Sequence, residues 1–288
     1  MRNKYFLIFL LLMVVGVSTA DAQYYRRLRN QRLTFLFGGG LSTYYGDLQN
    51  DNVLLKSDWN AGIGLQYAVY DRWAVKADFS VYSISGTDAN SSGEFADSRK
   101  KRNLSFKSTN FEASFSAMYH WFSLDATSFY RRPTANPYLF AGLGITTNNP
   151  TATLNGEKYE LRSIQTEGVE YSSVAPVVPF GAGVKLRLNN TLNFNAEIGY
   201  RLTFTDYLDD VSNRYISQGS FATDAAKILA DRRQQLGFEP VSAGTFRGDP
   251  EKDDGYVMLK FSFEYYITAG GLTGNNNRYR TRRSPYRR

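Results

Sequence analysis

The chain has 288 residues, no cysteine and a formal net charge of +7, with 24 Gly, 21 Tyr and 20 Phe against 8 Pro. The missing cysteines exclude a disulfide framework and a thiol nucleophile, and a balance rich in aromatics and poor in proline suits strands. Beyond the N-terminus no run approaches the roughly 20 apolar residues that a spanning helix needs. A membrane location would therefore require a closed barrel, the other structure in which every backbone polar group finds a partner.

The N-terminus carries Arg2 and Lys4, an apolar run from Tyr5 to Val17, and Ala20-Asp21-Ala22. A basic stretch, a short apolar core and a small-residue site have the form of a secretory signal peptide, cleaved after Ala22. Without a cysteine after the apolar core, the product is not a lipoprotein. The expected organisation is a signal peptide over residues 1–22, a barrel over 23–268 and a basic tail over 269–288.

Eight stretches of period-two alternation follow in order: Gln31–Tyr44, Trp59–Tyr70, Trp73–Ser83, Asn110–Trp121, Tyr138–Thr146, Phe180–Leu188, Thr191–Phe204 and Gly255–Thr268. In the last, Val257, Leu259, Phe261, Phe263, Tyr265 and Ile267 alternate with Met258, Lys260, Ser262, Glu264 and Tyr266. One apolar face and one charged face suit a strand lying between lipid and a polar lumen. The odd-numbered connections are long and the even-numbered ones short, as in outer-membrane barrels with long extracellular loops and short periplasmic turns. The predicted fold is all-β: an eight-stranded antiparallel transmembrane barrel with both chain ends periplasmic. Trp73, Tyr119, Trp121, Tyr138, Tyr265 and Tyr266 fall at the periplasmic strand ends, where an aromatic girdle is expected.

Eight strands enclose just enough room for side chains. The inward positions supply Lys76, Lys185, Arg187, Arg201 and Lys260 against Asp78, Glu112, Glu197 and Glu264. Buried charges need partners, so these residues predict an ion-pair plug instead of a diffusion channel. Inward glycines (38, 40, 62, 64, 142, 144, 181 and 183) would make room for the long side chains.

His120 is the only histidine. It has no second histidine for a metal pair and no defensible triad, so it reads as an interface residue, and no catalytic, cofactor or metal site is expected. Asp206, Asp209 and Asp210 form a dense carboxylate cluster that could bind calcium, but such clusters more often shape a loop through bonds to the backbone. The same connection predicts one short helix, with Thr223 as N-cap, Ala225, Ile228 and Leu229 as its apolar stripe, and Gly237 past its end.

The run VPFGAGVKLRLNNTLNFNAEIGYRLTFTDYLDDVS, Val178 to Ser212, resembles a Bacteroidetes outer-membrane barrel family that includes PorG of the type IX secretion system. Tyr44-Tyr-Gly-Asp-Leu48, Asn136-Pro-Tyr-Leu-Phe-Ala-Gly142 and Arg247-Gly-Asp-Pro250 share the likeness. The resemblance implies a barrel that anchors a periplasmic ring of lipoprotein and partner subunits to the outer membrane. The arginine-rich tail does not map onto the family pattern.

Arg26, Arg27, Arg29 and Arg32 open the mature chain, and Arg278, Arg280, Arg282, Arg283, Arg287 and Arg288 close it. The tail around the second set buries too little apolar surface to fold alone. Its arginines could be attracted to anionic lipid or could dock on carboxylates of a ring subunit. The expected partners are thus outer-membrane lipid and the periplasmic ring, with no nucleic acid. The leading function is a non-enzymatic component of type IX secretion. The rivals are a surface-binding or adhesion barrel with specificity in its long loops, and a lipid-modifying enzyme.

Overall fold

The computed structural model describes residues 33–49, 57–91, 96–124, 133–189 and 191–267, and all structural statements concern these residues. The signal peptide, both terminal arginine clusters and the tail lie outside them.

The strands in chain order are β1 (Leu33–Tyr45), β2 (Asp58–Ala68), β3 (Trp73–Thr87), β4 (Ser105–His120), β5 (Ala135–Thr147), β6 (Thr151–Leu154), β7 (Glu157–Glu160), β8 (Val174–Arg187), β9 (Leu192–Thr203) and β10 (Gly255–Tyr266). All except β6 and β7 are barrel staves. Each stave pairs antiparallel with both neighbours, and the pairings β3–β4 and β1–β10 complete the circuit. Closure removes the open edges that neither water nor lipid could safely cover.

The staves run from 11 residues in β2 to 16 in β4, whereas about 9–11 tilted residues suffice to cross a bilayer. The surplus lies at one end, where Thr87 pairs with Ser105. There the outward positions Lys107 and Thr109 are exposed and polar. Below them the outer face is an apolar belt that includes Phe37, Ile63, Phe79, Phe115, Leu143, Ile198 and Phe261, all exposed. An apolar surface this continuous is a site of contact with lipid or partner.

The connections alternate as the sequence predicts. The connections β2–β3, β4–β5 and β8–β9 lie at one end, and β1–β2, β3–β4, β5–β8 and β9–β10 at the other. Asn189 builds one tight turn by accepting from the backbone amides of Thr191 and Leu192, each at 2.9 Å.

The long loops hold more structure than the single helix expected. They contain helices α1 (Ala96–Arg102), α2 (Leu161–Ile164) and α3 (Asp224–Ala230), together with the β6–β7 hairpin. Helix α3 is the expected one: the Thr223 hydroxyl accepts from the Ala226 amide at 3.2 Å. Gly237 does not end it, however. With φ at 80° it closes the 3-10 turn Arg232–Leu236 that follows, a left-handed position natural to glycine. Helix α1 reads ADSRKKR and buries only Ala96, so it shows no apolar stripe to detect; its four basic residues sit in the last turn, where they favour the helix dipole.

Loops and barrel mouth share one apolar core. Leu48, Leu104, Leu208, Val211 and Leu229 pack with Tyr44, Tyr82, Ile84, Phe106, Tyr256 and Met258 from the staves. The loops therefore form a packed cap over the barrel.

Candidate functional site

The barrel interior is layered. Nearest the short turns, Lys185 Nζ lies 2.8 Å from Glu264 Oε1, and Asn193 and Asn195 donate to the other oxygen of that carboxylate. Next, Lys76 Nζ lies 2.7 Å from Glu197 Oε2 and Lys260 Nζ 2.6 Å from Asp78 Oδ1. The Tyr138 hydroxyl donates to Glu197 at 3.1 Å, and Phe140 lies under the Lys76 ammonium at 5.1 Å. Higher still, Arg201 Nε stands 3.6 Å from Glu112, which also accepts from the Tyr256 hydroxyl at 2.7 Å. Tyr256 stacks on Tyr82 at 4.6 Å under the cap. Each buried charge thus meets an opposite charge plus hydrogen bonds, the condition under which buried ions are tolerated.

Eight of the nine expected lumen residues enter this network. The ninth, Arg187, is half-buried and lines the short-turn mouth with Ser123, Asn136, Lys185, Asn193 and Tyr266. Three of the inward glycines act as expected, Gly64 among them, where a Cβ would stand 3.0 Å from Asp78 Oδ2. A Cβ at Gly62 would stand 2.9 Å from Lys260 Nζ, and one at Gly183 would stand 2.4 Å from the Tyr138 ring. At Gly38, Gly40 and Gly181 the closest atom is a carbonyl oxygen of the neighbouring strand instead.

Two expectations are corrected. Tyr138 and Tyr266 face the lumen and are buried, so the girdle at this end consists of the exposed Trp73, Trp121 and Tyr265 with Tyr119, whose ring meets Trp73 at 5.1 Å. His120 shares the parity of Tyr138, not of its chain neighbours Tyr119 and Trp121. It is fully buried against the Tyr138 ring, 5.1 Å away, and is not an interface residue. The base facing Glu197 is Lys76, on the far side of the lumen.

Of the three aspartates after β9, Asp209 and Asp210 bond to the loops around them, whereas both carboxylate oxygens of Asp206 are buried without a hydrogen-bond partner among the described residues. Asp209 accepts from the Val211 and Leu48 amides at 2.8 and 3.1 Å. Asp210 accepts from Thr166 at 2.5 Å and from Tyr171 at 2.8 Å. These donors face both carboxylates. Burial pushes Asp206 up to about 7 and Asp210 up to about 6, although Arg247 opposes the second shift.

The residue that sequence reading missed as a hub is Arg247. Its guanidinium is buried, reaches Glu167 at 3.0 Å and the Asp210 carbonyl at 2.5 Å, and also donates to the Ala230 carbonyl. It joins two loops and α3. Arg102 joins two more, reaching Asp88 at 2.8 Å and the backbone carbonyls of Asp47 and Arg247. The only sequence signal was that Arg247 opens one of the resembling motifs.

A closed antiparallel barrel with an apolar belt, an aromatic rim and an ion-paired lumen defines a transmembrane β-barrel. The sequence matches the outer membrane protein beta-barrel domain family over residues 7–222. The chain belongs to that family and is an outer-membrane β-barrel protein. Among solved structures it is similar to neisserial surface protein A, NspA, at 11% identity over 82% of this chain and 97% of that one, with a TM-score of 0.42. It is also similar to Ail, the attachment invasion locus protein of Yersinia pestis, at 9% identity over 83% and 99% with a TM-score of 0.40. A third likeness is to OprG of Pseudomonas aeruginosa, at 12% identity over 83% and 99% with a TM-score of 0.40. No curated protein matches the sequence significantly.

Proposed function

We propose that this barrel is a non-enzymatic, PorG-like component of the type IX protein secretion system that anchors a periplasmic ring of lipoprotein and partner subunits. Both chain ends then face the periplasm and the cap faces outward. One observation carries the reading: three of the resembling motifs meet in the cap. Leu48 of the first donates to Asp209 of the long run at 3.1 Å, Asp249 of the last donates to Asp47 of the first at 2.8 Å, and Arg247 reaches Asp210. Residues far apart in the chain that resemble one family thus build one interlocked unit. The packed lumen favours a scaffold over a conduit.

On this reading Arg278, Arg280, Arg282, Arg283, Arg287 and Arg288 dock on carboxylates of a ring subunit, where planar guanidinium forks make bidentate pairs. Truncation after Gly274 should leave barrel assembly intact and reduce co-purification of the ring. With the full chain, the association should weaken as salt is raised, because exposed charges are screened. Deletion of the whole protein should abolish export of type IX cargo. Normal export after deletion would overturn the proposal; unchanged ring capture by the truncated chain would overturn only the docking.

The second reading, a surface-binding barrel, draws on the loop surface. Phe238 and Phe246 are exposed there, Arg214 covers the Phe246 ring at 3.6 Å, and Lys101 and Arg233 approach Phe238 at 5.9 and 6.0 Å. Loss of cell attachment on Phe238→Ala and Phe246→Ala substitution, with cargo export intact, would favour it.

A further inference from the structure

The cap closes on a pair of carboxylates that form no salt bridge among the described residues, although Arg102 attracts charge on Asp209. Asp209 and Asp254 are both fully buried. Asp254 Oδ2 accepts from the Leu208 amide at 2.9 Å, and its Oδ1 accepts from the Tyr44 hydroxyl at 2.5 Å. The Asp209 side chain stands beside the same hydroxyl, and its two oxygens accept from the Leu48 and Val211 amides. Gly46 seals the site, since a Cβ there would fall 2.0 Å from both the Tyr44 hydroxyl and Asp254 Oδ1. Around the pair stand further acids, Asp47 and Asp206, and the phenol of Tyr200 on β9. The nearest base, Arg102 of α1, is already committed to Asp88 through two contacts at 2.8 Å.

Proton counting then decides the state of the site. A phenol has one proton and can donate to only one of two ionised carboxylates. If one carboxyl keeps its proton, the phenol donates to the ionised partner and accepts from the protonated one. That arrangement satisfies all three groups and leaves one charge, whereas full ionisation would bury two like charges that repel each other. Three segments meet at this proton: β1 with its loop, the start of the loop after β9, and the residue just before β10.

We propose that Asp209, Tyr44 and Asp254 form a proton-held latch that keeps the cap shut over the barrel mouth and releases it as pH rises. Burial holds both carboxyls well above the usual carboxylate range, each raised further by nearby acids. In an opened cap they would be hydrated and titrate near 3.9. Between those limits the closed cap binds one more proton than the open one. Each pH unit across the window therefore raises the ratio of open to closed about tenfold, and the rise stops above the raised value.

The absence of cysteine makes the test direct. Lys100→Cys and Glu251→Cys place spin labels on two exposed cap positions, α1 and the loop before β10. Electron–electron distance distributions would be recorded on the full chain in lipid nanodiscs, from pH about 5.5 to about 8.5. One short, narrow distance is expected at the acid end, with a longer population growing about tenfold per unit until it saturates. Asp209→Asn and Asp254→Asn should each flatten the profile, whether the cap then rests open or closed. Asp224→Asn, at an exposed residue, should keep the wild-type slope. A wild-type distance that does not move with pH, or a slope that survives in either latch variant, overturns the proposal.

Discussion

Glu197 shows how much a single lumen residue organises. It takes the Lys76 ammonium in a two-point contact at 2.7 and 3.0 Å and the Tyr138 hydroxyl at 3.1 Å. Without it, Lys76 retains only Asp78 at 4.0 Å, a carboxylate already held by Lys260 at 2.6 Å. Breaking a buried pair costs about 3–5 kcal/mol. Glu197→Ala should therefore lower the temperature at which heat-modifiable gel mobility shifts, whereas Phe194→Leu on the outer face should change it little. Equal shifts for the two variants would mean that the inward and outward faces are reversed. The faces themselves were legible in the sequence, because side chains alternate with a period of two. The partners were not. Lys76 and Glu197 are 121 residues apart and sit on β3 and β9, strands that share no ladder, so only the barrel's closure brings them together. His120 was misplaced for the opposite reason: its aromatic neighbours suggested an interface, and strand parity overrode them.

At the scale of elements, staves and loops obeyed different rules. A stave declares itself locally through alternation, which is why all eight were visible, although β5 and β8 begin earlier than the stretches at Tyr138 and Phe180 suggest. The early residues of β8, Val174 to Pro179, are apolar on both faces or carry proline, which masks the period. The cap core draws Leu48, Leu104 and Leu161 from three loops and Leu208 and Leu229 from a fourth, and no local pattern links them. Helix α3 was legible because its cap and stripe lie within one short segment. The sorting of the connections carries a topological prediction. An epitope inserted between Ser242 and Gly244, an exposed stretch of the last long loop, should be reached by antibody on intact cells. A tag after Arg288 should be reached only after the outer membrane is permeabilised. Labelling of that tag on intact cells would invert the barrel. Ser91, in the β3–β4 connection, would be a poorer insertion point, because it is buried.

For the molecule as a whole, the question is what a barrel sealed twice can pass. An ion entering from the long-loop end meets the apolar cap and then the stacked Tyr82 and Tyr256. One entering from the short-turn end meets Lys185 with Glu264, then Lys76 with Glu197 and Lys260 with Asp78. To pass, it must separate pairs whose partners would be left buried and unanswered, a cost of several kcal/mol at each layer. The two seals are also independent. The latch acts on the cap, while the ion pairs lie below it and contain no group of the Asp209–Tyr44–Asp254 site. Reconstituted in planar bilayers, the protein should therefore show no steady unitary conductance at neutral pH. It should still show none at a pH high enough to open the cap. Glu197→Ala combined with Asp78→Ala should behave differently, because Lys76 and Lys260 then face each other's charge without a counter-ion and the interior must admit water or anions. Uniform conductance steps in the wild-type protein at either pH would show that the lumen is a path and not a plug.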